Sequence, residues 1–443
     1  MALASPTPSR PLPNVAEPLD EGQVLAKIRR RLIPFMFLLY IVSYLDRVNV
    51  GFAALQMNAA IGLSDVTYSL GAGIFFLSYT LFEVPSNIIL ARVGARLWIA
   101  RIMITWGLVS ASMMFVNSAA AFYALRFALG AAEAGFFPGI IYCLTRWFPS
   151  DERARAIAGF MTAVVVAGMI GGPLSGFLLS LGGFGGLAGW QWLFVLEGLP
   201  AVVLGFIVLW VLPEQPSDAS ILTGLTPAER AALTARLEDE SAGRAIVVRS
   251  FGGAVASGRV WLLAVVYFTI PVALYAMGFW LPQIIKGAAG GSDTMAGVLT
   301  AIPYAVAAVG MVVVGRHSDR TGERRWHIAV CAVVGGLAFA ASAFVGGIVP
   351  SLAALSLAML GLASMLGPFW TLATSTMSGV GAAAGIALVN SVGNIGGFVG
   401  PTLIGFIREA THSFSAGLVA VGIVLAAGGL LVLAVNQPAK PSV

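Results

Sequence analysis

Phe35-Met36-Phe37-Leu38-Leu39-Tyr40-Ile41-Val42-Ser43-Tyr44-Leu45-Asp46-Arg47-Val48-Asn49 decides how the rest of the chain is read. From Phe35 to Leu45 there is no charge, and then an aspartate and an arginine stand side by side. In a helix that crosses a bilayer, each such side chain near the centre costs roughly 2.5–3.5 kcal/mol on insertion scales. Two adjacent charges at that depth need a functional reason.

The composition supplies the bilayer. Of 443 residues, 58% are hydrophobic and 10% charged, and the mean hydropathy is +0.90. Soluble domains carry about 25% charged residues, and one globular core cannot hide this much apolar surface. The class is an integral membrane protein with many spans. The net charge of +5 does not point to nucleic acid, because the basic residues sit in clusters between apolar runs, without one basic stripe and interleaved aromatics. Cys143 and Cys331 lie in or beside apolar runs, with no metal or disulfide spacing, and read as packing residues. Pro6, Pro8, Pro11, Pro13 and Pro18 punctuate a polar beginning without the apolar core of a signal peptide. Residues 1–31 are expected to form a disordered tail.

Twelve apolar windows long enough to span follow at about 32–54, 68–91, 97–117, 119–145, 155–182, 190–212, 260–286, 294–315, 327–346, 350–376, 381–407 and 413–435. The expected fold is an all-α membrane protein, twelve transmembrane helices in two pseudo-symmetric six-helix bundles. The bundles are 32–212 and 260–436, joined by a central loop at 213–259 and followed by a short tail at 437–443. Lys27, Arg29, Arg30, Arg31, Arg92, Arg96, Arg101, Arg146, Arg153, Arg155, Arg316, Arg320, Arg324 and Arg325 fall on one side of these spans, whereas the other side receives Lys286 and Arg408. The positive-inside rule then puts both termini in the cytoplasm. In the central loop, Thr226-Pro227-Ala228-Glu229 reads as a capping box with proline in the first turn, opening a short charged helix over Arg230–Glu240.

An internal repeat links the halves. Arg92-Val93-Gly94-Ala95-Arg96 lies 228 residues before Arg320-Thr321-Gly322-Glu323-Arg324, and the same offset carries Gly172-Pro173 onto Gly400-Pro401. Two matches with one offset support a duplicated six-helix unit.

Gly315-Arg316-His317-Ser318-Asp319-Arg320-Thr321-Gly322-Glu323-Arg324 resembles the loop signature of the major facilitator superfamily, Gly-x-x-x-Asp-Arg-x-Gly-x-Arg. The first-half copy departs from it with Asn87 and Ala91, so no aspartate stands at 91 for a gating salt bridge. The resemblance marks Asp319, Arg320, Gly322, Arg324, Arg92 and Gly94 as gating-loop residues. Within that superfamily the chain resembles the anion:cation symporters, the phthalate, tartrate and 4-hydroxyphenylacetate permeases. The motifs are Tyr44-x-Asp46-Arg47-x-Asn49, Arg126-x-x-x-Gly130-x-x-Glu133-Ala134-Gly135, Phe279-Trp280-Leu281-Pro282-Gln283-Ile284-Ile285-Lys286 and Asn390-x-x-x-Asn394-x-Gly396-Gly397. It implies proton-coupled uptake of a small organic carboxylate across the bacterial inner membrane. No cofactor is implied beyond the coupling proton. The partners implied are the substrate anion and lipid, with no nucleic acid, for a monomeric carrier.

Arg126 and Glu133 are seven residues apart, so one helix face carries both, about 10 Å apart along the axis. That is too far for a mutual pair. Asp46 and Arg47 point about 100° apart and can border one cavity from different walls. Arginine forks match carboxylates, which assigns Arg47 and Arg126 to the substrate. Asp46 and Glu133 are the proton-coupling acids, as acids at matching positions are in the family. The alternative is that the arginines simply neutralise these acids. Asn390 and Asn394, one turn apart, suit substrate oxygens or helix packing. Tyr44, Tyr275, Phe137 and Trp370 are candidate cavity walls, and Glu83 and Glu197 read mainly as structural. His317 and His327 lack metal spacing. No P-loop, catalytic triad or metal motif appears, so an enzyme is not expected. Sugar-acid uptake and drug efflux are alternatives on the same scaffold; a sensor or a channel is the alternative class.

Overall fold

Residues 21–242, 255–376 and 382–435 are described in the computed structural model. The expected tail at 437–443, most of that at 1–31, and central-loop residues 243–254 lie outside them. The first half consists of α1 (Glu21–Ile61), α2 (Asp65–Val93), α3 (Ala95–Ser112), α4 (Ala119–Glu133), α5 (Phe136–Trp147), α6 (Ser150–Met161), α7 (Ala163–Leu179) and α8 (Gly189–Val211). After the loop helix α9 (Pro227–Ala242) the second half runs through α10 (Gly258–Ala289), α11 (Asp293–Thr321), α12 (Arg325–Ser342), α13 (Ile348–Ser364), α14 (Leu366–Thr376), α15 (Ala382–Thr411) and α16 (Ser415–Leu431).

Among the described residues, 11 helical stretches are long and apolar enough to cross a membrane, with α4–α5 and α13–α14 each serving as one span. The shorter apolar helix Ala163–Leu179 is the twelfth, and α6 continues it beyond Thr162, itself in helical conformation. The twelve expected spans are therefore all present. Aliphatic and aromatic side chains remain on the outside of the bundle, among them Phe115, Val203, Phe206, Val309 and Leu337, as suits a helix facing hydrocarbon.

The first helix differs from expectation. It begins at Glu21, inside the stretch read as tail. Val24, Ile28 and Leu32 recur every fourth residue and are buried, so they form one apolar helix face. Lys27 pairs with Glu229 at 3.0 Å, Arg29 pairs with Glu152, and Arg31 donates to the Thr223 carbonyl at 3.4 Å. These charges dock the extension on the central loop and α6. The capping box also forms: Thr226 N donates to Glu229 Oε2 at 2.6 Å, and Glu229 N to Thr226 Oγ1 at 3.2 Å. The helix it opens starts at Pro227 and ends at Ala242.

The repeat is visible in the backbone. Gly94 and Gly322 both cap the second helix of their half at positive φ, 94° and 72°, and donate back to Leu90 O and Ser318 O. Leu90 and Ser318 are again 228 apart. The halves meet along α2 against α15, α7 against α11, and α1 against α10. Under the repeat the first two pairings exchange places and the third maps onto itself, which puts a pseudo-twofold axis beside α1 and α10.

Candidate functional site

Asp46 and Arg47 sit in the middle third of α1 and face different neighbours, as their 100° separation requires. Arg47 turns toward α4 and α10. Its Nη2 makes an ion-paired hydrogen bond to Glu133 Oε1, and its Nη1 donates to Tyr275 Oη at 3.1 Å. Ser43, one turn earlier, donates to the same Glu133 oxygen at 2.7 Å. Asp46 turns toward α3, where Oδ1 accepts from the Ser110 hydroxyl and from Asn49 Nδ2 at 3.1 Å. Its Oδ2 has no hydrogen-bond partner among the described residues.

Arg126 is fully buried on α4. It donates through Nε to Gly71 O at 3.3 Å and through Nη2 to Ala72 O at 2.9 Å, while Nη1 has no partner among the described residues. The Phe75 ring lies under both arginines, 5.0 Å from the Arg126 guanidinium carbon and 5.4 Å from that of Arg47. Tyr79 faces Arg47 at 5.2 Å. Two carbonyls and a ring face offset less of a buried cation's desolvation than a carboxylate does. Arg126 is thus, of the two, the cation still open to an anion.

The break after Glu133 belongs to the site. The fourth span, expected as one helix, is interrupted at Ala134–Gly135, where Gly135 takes φ 89°. A side chain at 135 would meet Ser86 Oγ at 2.2 Å. The interruption frees the Ala134 carbonyl, and Ser86 Oγ donates to it at 2.6 Å. Irregular backbone at membrane depth is tolerated where protein satisfies it in this way.

Other expected residues lie elsewhere. Asn390 and Asn394 reach across the seam to Glu83, donating to Oε1 at 3.1 Å and Oε2 at 3.4 Å. Tyr44 is buried on α1, and Tyr275 joins the cluster through Arg47 and packs on Phe76 at 4.2 Å. Trp370 instead packs on Tyr267 at 4.8 Å, and Phe137 on Tyr40 at 5.7 Å. Glu197 accepts from Ser175 at 2.7 Å, a contact between α7 and α8 within one half. His317 and His327 meet at 2.7 Å on the loop side.

In the gating loop Asp319 pairs with Arg324 at 2.7 Å, and Arg324 also donates to Ser318 Oγ at 2.9 Å; Arg92 and Arg320 are exposed. The first-half loop lacks an aspartate at 91, and Glu214 of the central loop supplies a carboxylate there. It accepts from Ala95 N at 2.7 Å and Arg96 N at 2.9 Å, at the positive end of α3. Glu214 and Phe75 were not singled out from the sequence. For Phe75 a signal existed: Phe75, Tyr79 and Glu83 recur every fourth residue along α2.

At the face away from the basic loops the halves are latched. Asp65 pairs with Arg408 at 2.8 Å, Gln56 donates to Asp293 at 2.8 Å, and Thr294 donates to Gly176 O at 3.0 Å. Lys286 holds Asp293 at 2.5 Å, and Arg408 lies over Phe414 at 4.2 Å.

Residues 36–401 match the model of the Major Facilitator Superfamily. The chain belongs to that superfamily. It is a multi-pass membrane transporter and not an enzyme. Among its relatives is a putative tartrate transporter of Agrobacterium vitis, 48% identical over 96% of this chain and 93% of that one. A quinolone resistance transporter of Acinetobacter baumannii is 42% identical over 93% and 94% of the two chains. In fold the transporter superposes on a bacterial homologue of the human lysosomal transporter Spinster, in an inward-facing and occupied conformation. The TM-score is 0.74 at 18% identity, over 92% of this chain and 96% of that one.

Proposed function

We propose that this transporter takes up a small organic carboxylate, a tartrate-like hydroxy acid or an aromatic acid, together with protons. The observation that carries the reading is the buried Arg47–Glu133 pair lying across Phe75 from an Arg126 with a free Nη1. A carboxylate entering between the guanidiniums completes Arg126 and competes with Glu133 for Arg47. Once it loses Arg47, Glu133 is a buried anion without a counter-ion, and a proton neutralises it. Substrate arrival is thereby linked to proton binding through Arg47; Arg126, too distant from Glu133 to pair with it, takes no part in that link. Asp46, with one oxygen unbonded, is the second proton acceptor.

The basic loops, gathered on one side of the spans, support a reading in which both termini face the cytoplasm and the bilayer is the bacterial inner membrane. The latched face is then periplasmic, and the conformation is one closed to the outside. Rocking about the α1–α10 axis breaks the latch and alternates access to the central site. The likeness to a putative tartrate transporter supports a hydroxy-acid substrate. The quinolone-resistance relative favours a second reading, export of an organic compound on the same scaffold.

Uptake into proteoliposomes over a panel of labelled carboxylates, with and without an inward proton gradient, tests the proposal. Gradient-driven accumulation of one of them is expected. Accumulation that persists after both the pH gradient and the membrane potential are collapsed contradicts symport.

A further inference from the structure

Glu83 is the buried acid that the proton mechanism above leaves unused. It is 5% exposed, in the half of α2 nearer the basic loops, one turn beyond Tyr79. Glu133 has a guanidinium; Asp46 and Glu197 draw their hydrogen bonds from their own half. Glu83 draws both of its hydrogen bonds from the other half, from two neutral amides one turn apart on α15. Among the described residues no lysine or arginine pairs with it. The charged and titratable groups acting on it are Arg47 from α1, Tyr79 from its own helix and Tyr267 from α10. Two neutral donors offset only part of the cost of burying a carboxylate, and they are available only while α2 and α15 are closed together at this level.

We propose that Glu83 is a further proton-carrying residue of the transport cycle, and that Asn390 and Asn394 tie its charge to the closure of the α2–α15 seam. While the seam is closed, the two amides hold the carboxylate. When the halves rock apart there, the anion loses both donors at once, and its protonation becomes coupled to which face is open. The proton enters the carboxylate from one aqueous phase and leaves to the other, with no other chemistry. This inference rests on the proton-symport reading and adds a site to it.

The test compares wild type with Glu83→Gln in proteoliposomes, following gradient-driven uptake and substrate–substrate exchange of the same labelled carboxylate. Glutamine keeps the shape and the acceptor oxygen but carries no proton. Exchange is expected to persist while gradient-driven accumulation falls roughly tenfold or more, within the range of coupling factors between linked sites. Glu83→Asp, which still titrates, is expected to retain the gradient response. Equal accumulation by Glu83→Gln and wild type overturns the inference; a wild type indifferent to the gradient overturns the symport reading instead. Should Glu83→Gln not fold, Asn390→Ala/Asn394→Ala keeps the acid and removes its donors. It is expected to move the pH midpoint of uptake, and an unchanged midpoint overturns the inference equally.

Discussion

Arg47 donates to Tyr275 Oη at 3.1 Å, and the two positions are 228 residues apart, the spacing of the internal repeat. Equivalent sites of the two halves therefore touch beside the pseudo-twofold axis. One has become the cation of the site and the other its neutral partner. Tyr275→Phe removes this bond but leaves the ring packed on Phe76. It should lower stability by about 0.5–1.5 kcal/mol and leave proton coupling intact. Thermal unfolding and gradient-driven uptake of the purified variant check both outcomes.

Among the described residues Arg126 holds two carbonyls and keeps one nitrogen without a partner. Lysine has a point charge where arginine has a fork. Arg126→Lys should weaken apparent substrate affinity about tenfold or more, near 1.4 kcal/mol. Substrate concentration dependence of exchange measures this; an unchanged KM would show that the arginine has only a structural role.

The Asp65–Arg408 pair joins the halves at the face opposite the basic loops. Breaking it with Asp65→Asn should shift the population toward conformations open on that face. Ser69→Cys reports this, because Ser69 is buried behind the latch one turn along α2. An impermeant maleimide should label it several-fold faster in the Asp65→Asn background, where native Cys143 and Cys331 stay buried. The charge swap Asp65→Arg/Arg408→Asp should restore slow labelling.

Legibility in the sequence followed the range of the interaction. The spans, the Gly94 and Gly322 turns and the Thr226–Glu229 box were readable, because each is decided by residues within a few positions or by a repeat. Gly135 was quoted within a motif, yet its reason, the Ser86 hydroxyl against it, comes from another helix. For Asn390 and Asn394, one-turn spacing suits substrate oxygens or helix packing equally, because it fits any pair of oxygens. Their partner, Glu83, lies 307 residues away from Asn390, and no local pattern announces it. The same holds for Glu214, which replaces the acid missing at 91 from outside the loop. The start of α1 lies earlier than the polar, Pro-rich beginning suggests, because Lys27, Arg29 and Arg31 find partners in Glu229, Glu152 and Thr223, all more than a hundred residues away.

The Glu229 carboxylate is held below its ordinary value of 4.5, first by the Thr226 N–H and further by Lys27. A carboxyl lowered in the folded state contributes stability above its unfolded value and loses it as the pH falls through the lowered one. The α9 helix should therefore loosen in acid below the ordinary glutamate range. Hydrogen exchange of its amides at neutral and acid pH checks this. Thr226→Ala should cost about 1 kcal/mol at neutral pH but leave most of the acid sensitivity in place, because alanine keeps the backbone N–H that holds the carboxylate.

The central claim is that substrate displaces Glu133 from Arg47 and so brings a proton with it. Adding the transported carboxylate to proteoliposomes without any imposed gradient, with a pH-sensitive dye inside, tests this most directly. The account predicts acidification of the lumen on substrate addition in wild type, and substrate exchange without acidification in Glu133→Gln. Acidification by Glu133→Gln at the wild-type rate, or its absence from a wild type that accumulates substrate, would contradict it.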